Sequence, residues 1–216
     1  MEYQGLEINH FEHSAFQIKA GDKVIYFDPY NLKDSQILPA DFVFITHEHF
    51  DHCSKKDIEK IASLKTIIVA SEDCAGQLKG LRVKEIVFVG GSESLEWENL
   101  LLEAVPAYNI DKFRSAGVCY HPQNNGQVGY VLEIRGVRVY HAGDTDKIPE
   151  MADLRDINIA LLPVSGTYVM TWQEAAEAVK LIKPKLAIPM HYGSIVGSKE
   201  DAEKFKEKAE CPVEII

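Results

Sequence analysis

The chain lacks a long apolar run, an excess of basic residues and any closely spaced pair of cysteines. No apolar stretch approaches the ~20 residues of a membrane-spanning helix. The start, Met1-Glu2-Tyr3-Gln4, has neither the basic residues nor the apolar core of a signal peptide. A net charge of −10 argues against a broad surface for nucleic acid or anionic membrane, since both attract Lys and Arg. We therefore expect a cytoplasmic protein with neither kind of partner.

The four cysteines are widely spread and form no C-x-x-C pair. They are Cys53, Cys74, Cys119 and Cys211. Such spacing favours reduced, structural thiols. With 216 residues, of which 46% are hydrophobic and 26% charged, the chain is typical of one globular domain, here taken as residues 1–216.

Alternating and apolar patterns predict strands along most of the chain, with helices between them. The expected strands cover residues 6–10, 14–19, 24–28, 41–46, 66–70, 85–89, 129–134, 137–141, 159–163, 186–190 and 213–216, with paired strands within 95–104. The expected helices cover residues 55–62, 172–182 and 200–209, and a further helix runs from a Ser71 cap to Gly80. This order favours an α/β (α+β) protein in which two sheets pack together with helices outside, a four-layer αββα sandwich.

Residues 108–127 are polar, contain Gly and Pro, and show no clear period. A loop of this length inside a compact domain is more often functional than idle.

The most informative segment is His47-Glu48-His49-Phe50-Asp51-His52, which follows the apolar strand 41–46. Side chains alternate along an extended chain, so His47, His49 and Asp51 can point the same way. His52 joins them only if the chain turns, and Ser54 with Asp57 is a helix N-cap pattern that would make the turn. Imidazole and carboxylate ligands suit zinc, iron or manganese rather than calcium. The alternative is a histidine-rich loop without a metal.

Two later segments place further ligand types at strand ends. Tyr140-His-Ala-Gly-Asp-Thr145 puts Asp144 just after a glycine, and Ile188-Pro-Met-His-Tyr-Gly193 puts His191 in the matching place. Open α/β sheets tend to bind their ligands at such ends.

Together, H-x-H-x-D-H, H-A-G-D-T and P-M-H-Y-G resemble the metallo-β-lactamase-fold hydrolases, in the same order and over most of the chain. The branch most similar contains the small hydrolases related to L-ascorbate-6-phosphate lactonases. Its Gly-His-Ser-x-Phe and Asp-Pro elements correspond here to Glu12-His13-Ser14-Ala15-Phe16 and Asp28-Pro29.

The resemblance implies a residue role for each ligand. His47 and His49 would bind a first metal, while Asp51, His52 and His191 would bind a second. Asp144 would bridge the two ions. Asp51 would also handle the proton of water or of the leaving group, beside a metal-bound hydroxide that attacks a lactone, ester or phosphodiester of a small metabolite.

One position departs from the family pattern. Asn109 stands where a third histidine for the first metal is expected, and an amide oxygen is a weak zinc ligand. His13 and His121 are the candidate substitutes, His13 as a metal ligand and His121 as a residue that contacts substrate or metal. Asp28 is a candidate for holding a ligating imidazole from behind, while His10 and His141 are more typical of structural histidines.

The expected cofactor is one or two divalent ions, Zn²⁺ first, with Mn²⁺, Fe²⁺ and Ni²⁺ as alternatives. The expected partner is a small-molecule substrate, and self-association into a homo-oligomer is left open. An alternative to the hydrolase is a metal-binding module or sensor of the same fold, with a degenerate first site and no turnover.

Overall fold

The computed structural model describes residues 1–33, 35 and 37–216. The chain forms two compact units, Met1–Gly90 and Gly91–Ile216. Each unit carries one of the two large β-sheets that the order of elements predicts. A single hydrolase domain over residues 1–216 stays a prediction. Across the described residues, no helix combines enough length and apolar character to cross a membrane.

The first unit contains a seven-stranded sheet whose strands follow the order of the chain. They are β1 (Glu2–Tyr3), β2 (Leu6–His10), β3 (Phe16–Ala20), β4 (Lys23–Phe27), β5 (Phe42–Ile45), β6 (Ile67–Ser71) and β7 (Glu85–Val89). Strands β1 to β4 form an antiparallel meander, and β4 to β7 are parallel. Every residue of β5 and β6 is buried. Accordingly, all of β5 and the first four residues of β6 are apolar, as is usual for parallel strands covered on both faces.

Two helices belong to this unit, α1 (Lys55–Ile61) and α2 (Ala75–Leu78). Ser54 caps α1 by accepting a hydrogen bond from the backbone N–H of Asp57, as predicted. The helix expected between Ser71 and Gly80 is shorter than predicted, since a 3₁₀ turn at Glu72–Cys74 precedes the four residues of α2. Ile58 and Ile61 of α1 join β5 and β6 in one buried apolar cluster that also contains Cys53 and Cys74.

The second unit contains a six-stranded sheet in the order β15-β14-β13-β12-β9-β8. Its strands are β8 (Ser94–Trp97), β9 (Leu100–Pro106), β12 (Val128–Ile134), β13 (Val137–His141), β14 (Ile159–Pro163) and β15 (Leu186–Met190). Strands β13, β14 and β15 are parallel, and the remaining neighbours are antiparallel. The carboxyl ends of the three parallel strands therefore meet at one edge of this sheet.

Two helices pack in the second unit, α3 (Trp172–Ile182) and α4 (Lys199–Lys208). Thr171 and Glu174 form a reciprocal capping box at the start of α3, which is typically worth about 1 kcal/mol. The buried side chains of α3 lie on one face, as its sequence pattern predicts.

Two expectations in this unit need correction. Residues 213–216 do not form a strand, because only an isolated bridge joins Val213 to Ala187. The long segment 108–127 is more ordered than its composition suggests. It contains a two-stranded ribbon, β10 (Phe113–Ser115) with β11 (Val118–Cys119), and a 3₁₀ turn at Gln123–Asn125.

Candidate metal centre

The segment of residues 47–52, here called the histidine loop, follows the buried strand β5. It turns at His52, as the sequence predicts. The backbone N–H groups of His52 and Cys53 both donate to the carbonyl oxygen of His49, at 3.0 and 2.8 Å. This tight turn ends the alternation of the extended segment. It brings His52 back towards His47, and the two ring centroids are 4.1 Å apart.

Three imidazoles of the loop are in contact. Nε2 of His47 lies 3.0 Å from Nδ1 of His49. His47 and His52 are buried, whereas His49 is exposed. Ligand atoms of His47 and His52 lie within 4.8 Å of one another, close enough to share a metal ion. The loop therefore presents two buried imidazoles and one that solvent or substrate can reach.

A buried carboxylate holds the loop from behind. Asp28, at the end of β4, accepts a hydrogen bond from Nδ1 of His52 at 2.7 Å. It also accepts from the backbone N–H and the hydroxyl of Thr46, at 2.8 and 2.7 Å. The Thr46 hydroxyl oxygen in turn lies 3.0 Å from Nδ1 of His47. The geometry thus agrees with the predicted role of Asp28 as the residue that orients a histidine.

His13 lies against Asp51 in the same unit. Its Nε2 is 3.1 Å from Oδ2 of Asp51, and His13, Asp51 and His52 each offer a ligand atom within 4.8 Å of the others. His10 is structural: its ring stacks on Phe16 at 4.4 Å, and its Nε2 lies 3.0 Å from the carbonyl oxygen of His13. His13 therefore adds a third buried imidazole to those of His47 and His52.

In the second unit, Asp144 and His191 lie where the sequence predicts, after β13 and β15. Nε2 of His191 is 3.1 Å from Oδ2 of Asp144. Nδ1 of His191 is 3.0 Å from the hydroxyl of Ser165. That hydroxyl donates to the carbonyl of Thr167 at 3.3 Å, so its oxygen serves as the acceptor for the imidazole.

The structure explains the asparagine at position 109. Its Oδ1 accepts hydrogen bonds from both the backbone N–H and the ring Nδ1 of His121, at 2.9 and 3.0 Å. Nε2 of His121 lies 3.4 Å from Oδ2 of Asp144. Asn109 therefore orients a histidine supplied from elsewhere in the long segment, and His121 lies beside Asp144, the carboxylate predicted to bridge the two ions.

Asp146 holds the turn that carries Asn109. It accepts hydrogen bonds from the backbone N–H groups of Ile110 and Asp111, at 2.7 and 3.0 Å, and from Nδ2 of Asn109 at 3.2 Å. Burial raises the pKa of Asp146, while these hydrogen bonds and nearby Lys112 oppose the rise. Sequence reasoning missed Asp146 and Ser165. The only available signal for Asp146 was its place in the Gly143-Asp-Thr-Asp146 run, and for Ser165 its position just after β14.

His141 and several other residues near the predicted ligands have structural contacts. Nδ1 of His141 accepts a hydrogen bond from the backbone N–H of Gly143 at 3.3 Å. The Thr145 hydroxyl donates to the carbonyl of Tyr108 at 3.1 Å. Tyr168 contributes its backbone carbonyl, which accepts from Nδ2 of Asn109 at 2.8 Å. Burial, followed by the charge of Glu203, raises the pKa of Tyr192.

Several of these residues adopt left-handed backbone conformations that L-residues rarely use. The φ angles of His13, Asp28, Tyr168 and His191 are 58°, 42°, 71° and 58°. Such strain costs about 1–3 kcal/mol per residue and collects at functional sites. Six residues away from the site share such angles, among them Gln4, Ser92 and Lys183, so the angles alone do not identify the site.

The donor set fits a divalent metal of the zinc type. In His47, His52, His121 and His191, Nδ1 lies within hydrogen-bond distance of a protein oxygen. A carboxylate or amide oxygen can only accept, so at His52 and His121 Nδ1 must carry the proton. The lone pair is then on Nε2, as is typical for metal-ligating histidines. Imidazole and carboxylate donors prepared in this way suit zinc and other divalent transition metals.

Comparison with known proteins also indicates metal dependence. A family model described as a β-lactamase superfamily domain matches residues 7–191. The UPF0173 metal-dependent hydrolase of Methanocorpusculum labreanum is 34% identical over 211 residues, covering 95% of this chain and 91% of that protein. The UPF0173 metal-dependent hydrolase of Staphylothermus marinus is 33% identical, covering 97% and 94%.

A solved structure from Parabacteroides distasonis, assigned as a metal-dependent hydrolase, is also similar. It is 34% identical, its TM-score is 0.83, and the match covers 97% of this chain and 92% of that one. Fold and donor set together define a metal-dependent hydrolase of the metallo-β-lactamase fold. The chain belongs to the β-lactamase superfamily and, more narrowly, to the UPF0173 metal-dependent hydrolases.

The fold prediction is confirmed, with mixed α/β sheets consistent with a layered sandwich. Metal dependence and hydrolase class are likewise confirmed at family level. The resemblance to ascorbate-phosphate lactonases, the choice of zinc and the role of each ligand stay predictions.

Proposed function

We propose that this protein is a zinc-type hydrolase that cleaves a lactone, ester or phosphodiester bond in a small cytoplasmic metabolite. The observation that carries the proposal is the orientation of its histidines. Four imidazoles from both units have Nδ1 against a protein oxygen. Buried imidazoles held in this way are prepared to offer Nε2 to a cation.

The assignment of ligands follows the order of the family motifs. His47 and His49 would hold the first ion, with His121 as the third histidine in place of Asn109. Asp51, His52 and His191 would hold the second, and Asp144 would serve both. The contacts of Asp144 with His121 and His191 support this assignment, because a carboxylate shared by two ions would lie beside ligands of each.

A divalent cation in such a site lowers the pKa of a coordinated water to about 7 and polarises the scissile carbonyl or phosphoryl oxygen. The protein supplies orientation and proton handling. The Asp51 side chain, 13% exposed, is positioned to take up a proton at its carboxylate. Nε2 of His13 lies 3.1 Å from that carboxylate and fixes its position. His49 is exposed, so a substrate can reach it.

The alternative, a metal-binding module without turnover, was motivated by the missing histidine at position 109. The contacts of Asn109 with His121 remove that motive, since the amide orients a histidine. We therefore favour the enzyme.

The test is to purify the protein without chelators, measure its metal content, and assay lactones, carboxylic esters and phosphodiesters. We expect zinc at one to two equivalents and turnover that chelation abolishes and zinc restores. Anomalous scattering at the metal edges of a crystal would identify the element and count the ions. Tight metal binding without turnover on the whole panel would contradict the enzyme and favour the module.

A further inference from the structure

A cavity of about 630 Å³ opens beside the histidine loop, within the first unit. Tyr30, His49 and Phe50 line it, together with Glu48 and Gln77. Cavities of roughly 300–1,000 Å³ accommodate small organic ligands. Because His49 is both a lining residue and a predicted metal ligand, the cavity reaches the place where the scissile bond is expected.

Two aromatic rings give the cavity its apolar surface. Phe50 is 68% exposed although it lies between two predicted ligands, His49 and Asp51. Its ring meets that of Tyr30 edge to face, with centroids 6.0 Å apart. Tyr30 in turn lies 6.4 Å from the ring of His13. A single exposed phenylalanine is ordinary. Two adjacent aromatic rings that line a cavity beside predicted metal ligands are typical of a ligand-binding surface.

The polar groups around the rings are largely paired within the protein. Glu48 accepts a hydrogen bond from Nε2 of Gln77 at 3.3 Å, and the amine of Lys55 donates to the carbonyl of Lys79 at 2.6 Å. Asp57 accepts from the backbone N–H groups of residues 31 and 32, at 3.0 and 3.1 Å. An occupant that needed these groups would have to displace existing hydrogen bonds, whereas one that packs on the two rings displaces none of them.

We propose that this cavity receives an apolar acyl or aryl group of the substrate, with Phe50 and Tyr30 as the contacts that determine specificity. The inference rests on the proposed function, since it places the occupant beside the predicted metal ligands. It narrows the substrate class to compounds whose scissile ester or diester carries a hydrophobic group.

Binding can be tested without turnover. In chelated protein, saturation-transfer NMR with methyl phenylacetate should show magnetisation reaching the phenyl protons, whereas methyl acetate should give a far weaker signal. Phe50→Ala should weaken phenylacetate binding about fivefold, the size expected for one aromatic contact. Leu64→Ala is the matched control, because Leu64 is 67% exposed and does not line the cavity. Equal binding in wild type and Phe50→Ala, or no transfer to the ring, would overturn the proposal.

Kinetics separates this inference from the proposed function. In zinc-loaded protein with unchanged metal content, Phe50→Ala should raise KM for phenylacetyl esters about fivefold and leave KM for acetyl esters unchanged. Phe50→Leu should restore part of the preference. If KM rises equally for both esters, the specificity role is wrong. Ring binding that depends on Phe50 in a protein without any hydrolytic turnover would refute the proposed reaction while supporting the cavity assignment.

Discussion

The two units contribute predicted ligands in opposite ways. In the first, His47, His49, Asp51 and His52 come from six consecutive residues, and one turn closed on the carbonyl of His49 brings the imidazoles together. In the second, His121, Asp144 and His191 are separated by long stretches of chain, and each follows a different element.

The difference determines what each set depends on. The loop is assembled by local chain geometry, and Asp28 and Thr46 support its imidazoles through hydrogen bonds. The dispersed ligands depend on the register of β13, β14 and β15, and on the hydrogen bonds of Asn109 and Asp146 within the long segment. Substitutions far from the loop should therefore change the metal affinity of the local ligands little. For the dispersed ligands, substitution of each supporting residue should lower the metal affinity.

The largest effect is expected for Asp144→Ala. If Asp144 serves both ions, its loss should lower metal content and reduce activity by far more than the roughly 100-fold of a supporting residue. The fold should survive, as judged by circular dichroism. Metal analysis and kcat/KM measure the effect, with Asp153→Ala at an exposed position as control. Full activity with both ions retained would show that the bridging assignment is wrong.

The next effect tests the local set through Asp28→Ala. This change leaves three buried donors, on His52 and Thr46, without their acceptor. We expect metal affinity to fall about 100-fold and unfolding free energy to drop by several kcal/mol, since each orphaned donor costs about 1–3 kcal/mol. Competition with a chelator and urea denaturation measure the two quantities, and Asp22→Ala is the exposed control. Unchanged metal affinity would mean that the loop keeps its metal-binding geometry without Asp28.

The contrast also explains how far sequence reasoning reached. The loop, its N-cap and the positions of Asp144 and His191 at strand ends could be predicted, because they depend on alternation, capping and strand termination within a few residues. The two sheets followed from apolar runs such as β5 and β14, which are buried throughout.

The partner of His121 could not be predicted in the same way. Asn109 and His121 are twelve residues apart, and the chain between them carries a ribbon with no periodic signal. The support from Asp146 is a tertiary contact, so a residue-by-residue alignment with the family pattern finds only a missing histidine. Residues 213–216 were mispredicted as a strand because their pairing with β15 stops at one bridge, between Val213 and Ala187.

A smaller effect is expected for Asn109→Ala, which tests the dispersed set. The variant removes the acceptor for both the backbone and the ring of His121. We expect about a 10-fold loss of metal affinity, at the low end for a supporting residue, because a neutral amide interacts less strongly than the Asp28 carboxylate. Asn99→Ala is the exposed control. In a His121→Ala background the Asn109→Ala effect should vanish, and a full effect there would place the role of Asn109 elsewhere.

The smallest effect is expected where α1 follows the loop, at Asp57. Burial alone would raise the pKa of Asp57, but hydrogen bonds from Lys60, Ser54 and the backbone outweigh it and hold the pKa below its ordinary value. A lowered folded pKa stabilises the protein above the unfolded pKa of about 3.9, and this stabilisation is lost as the pH falls through the folded value. Asp57→Asn should cost about 1 kcal/mol at pH 7 and lose less stability than wild type between pH 7 and 3.

Urea denaturation across that pH range measures the Asp57 effect, with Glu59→Gln on the exposed side of α1 as control. If the unfolding free energy falls as steeply between pH 7 and 3 in Asp57→Asn as in wild type, Asp57 does not contribute to the pH dependence of stability. Metal affinity at pH 7 makes the sharper comparison. Hydrogen bonds to the carbonyl oxygen of His49 close the turn of the loop, before α1 begins. Loosening the helix cap should therefore leave metal affinity almost unchanged, whereas a loss comparable to that of Asp28→Ala would make the loop as dependent on its surroundings as the dispersed ligands are.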